Sequence, residues 1–218
     1  MGVILFVRHG QASVGAADYD ALSATGQLQS KMLGTEFLRR GVSATRILSG
    51  RLNRHQETAR RTHRASKWSA SVELDEAWNE FDHEDVLAVH RRVANATSAV
   101  TQQSSQLWFD QVIPRWSSGL HDHDYTEPFP AFTKRVDSAL RTLAAELVSG
   151  ETAVVFTSAG VIGWVTASLL RVGEPQWFAL NRVAVNSGVT RVVVGSRGIT
   201  LVSFNEYPHL TPQLVTYR

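Results

Sequence analysis

The sequence predicts an α/β fold with a largely parallel sheet covered by helices, and three observations carry that prediction. An apolar run, Val3-Ile4-Leu5-Phe6-Val7, opens the chain and is long enough for one buried strand. Amphipathic stretches of helical period then alternate with further short apolar runs. The longest uncharged segment, residues 152–170, divides at Ser158-Ala159-Gly160 into a β-rich half and a helical half.

The elements follow in order. After the first strand and a polar loop, residues 26–40 place Leu28, Met32, Leu33 and Phe37 on one helical face, and Gly41 stops the helix. A short strand is expected over residues 45–49. In the helix after it Asn53 is placed to cap and Gln56 to close the box three residues on. The clearest amphipathic helix covers residues 130–148, where Phe132, Val136, Leu140, Leu143 and Leu147 keep its period and Ser149-Gly150 end it. A buried strand, 153–157, turns at Ser158 into a buried helix ending near Arg171, ahead of Gly173 and Pro175. Residues 189–194 and 199–204 flank Gly195-Ser196-Arg197-Gly198, a hairpin or tight link between neighbouring strands. Approximately residues 83–129 fit the alternation least. They hold Trp108-Phe109, Trp116, a Ser/Gln-rich piece at 101–106 and His121-Asp122-His123-Asp124, and are read as a cap insertion within a single domain, 1–218.

With 43% hydrophobic residues over 218 positions the chain can bury the core of one domain. A formal charge of +2 demands no acidic partner, and the absence of cysteine excludes disulfides and thiolate metal sites and fits a cytoplasmic protein. The opening residues lack a basic region and a cleavage site, so no signal peptide is expected. Residues 152–170 reach membrane-spanning length, but Ser158, Gly160, Gly163, Thr166 and Ser168 interrupt them, so no membrane partner is expected. Arg51, Arg54, Arg60, Arg61 and Arg64 spread over several helix faces without interleaved aromatics, which argues against a nucleic-acid partner. The apolar C-terminal strands are compatible with a homodimer.

In open parallel sheets ligands bind beyond the carboxyl ends of the strands. Three predicted strands end there in polar signatures: Arg8-His9-Gly10, residues 49–54, and Thr157-Ser158-Ala159-Gly160. A cation, an imidazole and a permissive backbone at one point suit phosphoryl chemistry on histidine. Arg54 and the amides near Gly160 add donors at helix N-termini, and guanidinium forks match phosphoryl oxygens.

These motifs resemble the histidine phosphatase superfamily, of phosphoglycerate mutase-like fold. Arg8-His9-Gly10-Gln11 matches its signature triplet. Leu22 to Gln29 is similar to its Leu-Thr-x-x-Gly-x-x-Gln stretch, Leu52 to Ala59 to its Leu-x-Arg-x-x-x-Thr-Ala motif, and Trp78-Asn79-Glu80-Phe81 to the segment carrying its proton donor. The resemblance implies a three-layer sandwich with helices on both faces of the sheet. It also implies a cofactor-independent, metal-free phosphatase acting on a small phosphorylated metabolite through a phosphohistidine. His9 would be the nucleophile, its other ring nitrogen donating to a backbone carbonyl, and Glu80 the acid and base. Arg8, Arg54 and Ser158 would hold the phosphoryl group, with Gln11, Ser13, His83 and Ala159 as further candidates.

One departure stands out. Where the family has a second active-site histidine this chain has Ser158, which offers one neutral, shorter donor, and the loss of such a donor costs about 10²–10³ in rate. Restoring histidine at 158 is expected to raise turnover, and His83 or His209 are the candidates for compensation. The alternative function is a catalytically impaired phosphate-ligand binding or regulatory protein. A phosphoglycerate mutase fits less well, because Asp82-His83-Glu84-Asp85 stands where a basic substrate-binding segment would. Asp82 to Asp85 read better as a polar helix start than as a metal cluster, His121 to Asp124 as a mobile loop, and the aromatic group as cap packing.

Overall fold

The structure is a computed structural model and describes residues 1–13, 20–93 and 111–217. They divide into two compact units: Met1–Glu80 with Asp137–Arg218, and Phe81–Val136.

In the first unit β1 (Gly2–Arg8) is central because it is apolar on both faces, with Ile4, Leu5, Phe6 and Val7 all buried. It pairs in parallel with β4 (Thr152–Thr157), β4 with β2 (Arg46–Ser49), and β2 with β3 (Val72–Leu74). On its other side β1 runs antiparallel to β5 (Val189–Gly195), and β5 to β6 (Gly198–Glu206). The order is β3-β2-β4-β1-β5-β6, a six-stranded and mostly parallel sheet in an α/β fold, as the sequence predicts. The link between β5 and β6 is a hairpin, closed by Gly198 at φ +104°.

Helices α1 (Ala24–Arg39) and α2 (Asn53–Ser66) cover one face, where Leu5, Val7, Leu33, Phe37, Ile47 and Phe156 form a core cluster. The alternate strand residues Ile4, Phe6, Ala153 and Val155 are buried on the other face, towards α6 (Ala159–Leu170). Residues 152–170 are therefore a strand and a helix, with Arg171 closing the helix in the left-handed region. No described helix is long and apolar enough to cross a membrane. Helix α7 (Glu174–Val183) packs on α6 through the fully buried Trp177, whose Nε1 donates to the Gly160 carbonyl at 2.9 Å.

Two local expectations are corrected. The buried face of α1 is Gly26, Gln29, Ser30, Leu33, Gly34 and Phe37, while Leu28 is exposed and Met32 half-buried. Small residues win because α2 approaches closely: a Cβ on Gly34 would lie 2.4 Å from the Thr62 carbonyl oxygen. Asn53 does not cap α2, whose N-cap is Leu52. A distant carboxylate takes the place of the local box, the Asn53 amide donating to Asp20 at 2.7 Å, while Gln56 Nε2 donates to the Arg51 carbonyl.

The second unit contains α3 (His83–Val93), α4 (Ile113–Ser117) and the start of α5 (Phe129–Glu146), which continues into the first unit. Fully buried Trp116 packs against Phe81 at 4.4 Å and Phe129 at 5.2 Å between ring centroids. Asp82 caps α3 by accepting from the amides of Glu84 and Asp85, so the acidic run is a helix start. His121 to Asp124 is not a loose loop: Asp122–Asp124 form a 3-10 turn that Arg115 holds through Asp124 at 2.6 Å. Trp108, Phe109 and residues 101–106 lie outside the described residues. Beyond the sequence expectations, β3, α4 and α7 are additional elements.

The α1–α2 contact yields a prediction. Gly34→Ala should lower stability by about 1–3 kcal/mol, read as a lower denaturant midpoint at unchanged slope, because the backbone of α2 cannot yield to a methyl group. An unchanged midpoint would show that the two helices separate freely.

Candidate active site

The parallel register sets the site. Arg8 lies opposite Thr157 and Ser49 opposite Phe156, so β1, β4 and β2 end at one level. The ladder runs one residue further, His9 N donating to Thr157 O at 2.8 Å and Gly50 N to Phe156 O at 3.0 Å. The residues after three strands are thus fixed by backbone bonds before any side chain acts.

His9 is 7% exposed, and its Nδ1 lies 2.7 Å from the Gly10 carbonyl. A carbonyl only accepts, so Nδ1 carries the proton and Nε2 presents its lone pair. The loop that sets this geometry is built by motif residues. The Gly10 amide donates to Thr58 Oγ1 at 3.0 Å, and a Cβ on Gly10 would meet the Gly26 carbonyl oxygen at 2.4 Å. Buried Gln29 accepts from the Gln11 amide at 2.8 Å and donates to the Leu214 carbonyl and Thr216 hydroxyl. Burial holds the His9 pKa well below its ordinary value, and the charges of Arg54 and Arg8 and the His55 ring push it the same way. A neutral imidazole beside two guanidinium groups is the result.

Arg8 and Arg54 are both buried. Arg8 donates to the carbonyls of Ala184 and, at 3.1 Å, Tyr217. Arg54 donates to Asp20 at 2.6 Å, and the second oxygen of the same carboxylate takes the Asn53 amide. Arg54 and the N-terminus of α2 therefore grip an anion in this structure, a carboxylate of the chain itself. Asp20 is a site residue that local sequence reading misses, since it acts across 34 positions.

Glu80 follows the 3-10 turn Glu76–Trp78, which Thr157 fixes by donating from its hydroxyl to the Trp78 carbonyl at 2.6 Å. One Glu80 carboxylate oxygen accepts from the Gly160 amide at 2.9 Å, at the start of α6. A Cβ on Gly160 would lie 2.3 Å from Glu80 Oε1, so glycine is what lets the carboxylate seat there.

Ser158 occupies the N-cap of α6 yet makes no capping bond. Its Oγ lies 2.6 Å from Nε2 of His55, a fully buried residue of α2 whose ring centroid is 5.7 Å from that of His9. Burial, then the Arg54 charge, holds the His55 pKa well below its ordinary value. This histidine is absent from the sequence expectations, although its spacing with Ala59, Thr62 and Ser66 puts it on the buried face of α2.

The further candidates scatter. Gln11 accepts from the Ser23 hydroxyl at 2.7 Å, and the Ser13 amide pairs with the Ala21 carbonyl. Ala159 is the first residue of α6, and His83 opens α3 in the second unit. His209 bonds Ser187 at 2.8 Å and lines a separate cavity of about 520 Å³ with Glu36 and Arg40, so it does not stand in at position 158.

The chain matches the Histidine phosphatase superfamily (branch 1) over residues 4–207. Among solved structures it is similar to a putative alpha-ribazole-5'-P phosphatase from Escherichia coli, with 20% identity, TM-score 0.68, 97% of this chain and 100% of that one. It is similar to a phosphoserine phosphatase in complex with 3-phosphoglyceric acid from Entamoeba histolytica, with 18% identity, TM-score 0.65, and 97% and 100% covered. Bacillus stearothermophilus YhfR shares 17% identity at TM-score 0.71, with 96% and 99% covered. No curated protein sequence matches.

The buried imidazoles set an acid limit on stability. His9, His55 and His209, the last lowered to about 4 mainly by burial, are neutral when folded. Unfolding frees each to protonate near 6.5, so their stability is present above about pH 6.5 and is lost as pH falls through the folded values. Denaturation at pH 7.5, 6 and 5 should show a loss approaching about 1.4 kcal/mol per pH unit per histidine, reduced by one proton in His209→Gln. A flat profile would mean that these rings charge freely in the folded protein.

Proposed function

The chain belongs to the histidine phosphatase superfamily, and from that membership we propose that it hydrolyses a small phosphomonoester through a phosphohistidine on His9, without a cofactor. The observation that carries the reading is the bond of His9 Nδ1 to Gly10, which leaves Nε2 as a nucleophile beside Arg8 and Arg54. The solved relatives whose names state a phosphomonoester of a small molecule are consistent with that substrate class.

Nε2 attacks phosphorus in line: the N–P bond forms, the ester P–O bond breaks, and its electron pair leaves on the alcohol oxygen. Glu80 in its acid form supplies the proton to that oxygen. Water then attacks phosphorus, Glu80 takes its proton, the N–P bond breaks, and the lone pair returns to Nε2 as phosphate departs. Arg54, Arg8 and the N-termini of α2 and α6 stabilise the equatorial oxygens throughout. The phosphoryl group competes with the Asp20 carboxylate for Arg54 and the Asn53 amide. That competition, with Ser158 in place of a histidine, favours one second reading: a phosphate-ligand binding or regulatory protein with slow turnover.

Rapid quenching into base after mixing with para-nitrophenyl phosphate, followed by mass spectrometry, tests the choice. An acid-labile phosphoryl group on His9 is expected, absent in His9→Ala together with all turnover. In Glu80→Gln the adduct should accumulate while steady-state turnover falls about 10²-fold, because the aryl leaving group needs no acid but the water still needs its base. Phosphate binding with no adduct would select the binding protein, and neither result would reject both readings.

A further inference from the structure

We infer that His55 and Ser158 act as one donor unit towards the phosphoryl group: His55 Nε2–H donates to Ser158 Oγ, and the Ser158 hydroxyl donates to a phosphoryl oxygen. The inference rests on the phosphoryl-transfer reading and assigns His55 as a positioning residue within it.

Three observations carry it. First, His55 Nδ1 is buried and has no hydrogen-bond partner among the described residues, and Gly50 closes over it so tightly that a Cβ there would lie 2.3 Å away. A proton on that nitrogen would be a buried donor with no acceptor, so the neutral ring carries its proton on Nε2, which faces Ser158 Oγ at 2.6 Å. Burial and the adjacent Arg54 charge keep the ring neutral.

Second, Ser158 stands at a helix N-cap, where a serine hydroxyl ordinarily accepts from the helix amides, and it makes no such bond. Its oxygen is turned to His55 instead. Among the described residues His55 is its one hydrogen-bond partner, so once Nε2–H donates to Oγ the hydroxyl proton has no acceptor among them. Ser158 is 1% exposed, and a hydroxyl this deeply buried ordinarily has both its roles filled.

Third, the unit lies beside the other site residues. Ser158 begins the turn whose Gly160 amide holds Glu80, and the ring of His55, which follows Arg54 on α2, lies 5.7 Å from the His9 ring. A phosphoryl oxygen accepting from Ser158 would complete the hydroxyl. The donor lost with the family's second histidine is thereby supplied from α2, through a serine.

The test uses His55→Leu, which keeps volume and removes the donor, His55→Gln, which keeps an N–H, Ser158→Ala, and the double variant His55→Leu/Ser158→Ala. Thermal melts select the variants that stay folded, and kcat and KM are read with para-nitrophenyl phosphate. Ser158→Ala and His55→Leu should each lower kcat about 10²-fold with little change in KM, and the double variant should be no worse than either single one. His55→Gln should recover to within about tenfold of wild type. Independently of activity, ¹⁵N spectra of the histidine rings should show His55 as the Nε2–H tautomer and His9 as the Nδ1–H tautomer, the Ser158 hydroxyl proton becoming observable on adding orthovanadate. Multiplicative single losses, or a His55 Nδ1–H tautomer, would overturn the relay while leaving phosphatase action intact. A wild type without turnover or a His9 adduct would instead overturn the phosphatase reading, and the tautomer would still decide the relay.

Discussion

The bond from His9 Nδ1–H to the carbonyl of Gly10 is the constraint on which the site depends, because it alone decides which ring nitrogen is free. It exists only if the backbone after β1 turns in one way. Thr58 holds the Gly10 amide, Gly26 admits the Gly10 backbone, and Gln29 ties the Gln11 amide to the C-terminal segment. Three helix residues thus orient the His9 ring by shaping one turn. Their positions in the two helical motifs are explained by that turn.

The same turn sits in an electrostatic setting that no single residue creates. Two buried guanidinium groups and two helix N-termini make the end of the sheet attractive to anions, and the neutral His9 and His55 add no further positive charge. Buried cations need partners, and the carbonyls of Ala184 and Tyr217 and the carboxylate of Asp20 supply them. Asp20 is the more consequential partner, because it spans the two donors, Arg54 and the Asn53 amide, that suit a phosphoryl oxygen pair. On the proposed function, occupancy by substrate is an exchange of anions, with an affinity set by the difference between them.

Much of this was legible in the chain, and the reasons divide cleanly. Elements with a strong period of their own, β1, β4, α5 and the β5–β6 hairpin, were readable because burial on a strand or helix face leaves its mark within a few residues. The convergence of His9, Arg54 and Ser158 followed from strand ends in an α/β sheet. What was hidden depends on partners far away in sequence. The α1 face departs from the expected one because close approach to α2 favours Gly34, and close approach to the backbone of Gln11 favours Gly26, over Leu28. Asp20 and the role of Gln29 are contacts across 34 and 185 positions. His55 lies on the buried face of α2, but only the fold shows that its ring reaches Ser158.

The central claim is that Nε2 of His9 is the nucleophile of an anion site built by Arg8, Arg54 and the turn at Ser158. A crystal structure of the protein with orthovanadate tests it most directly. The account predicts vanadate bonded to His9 Nε2 in trigonal bipyramidal geometry, Glu80 opposite, equatorial oxygens on Arg54 and the Ser158 hydroxyl, and Asp20 displaced from Arg54. Vanadate bound away from His9, or held with the Asp20–Arg54 pair intact, would contradict it.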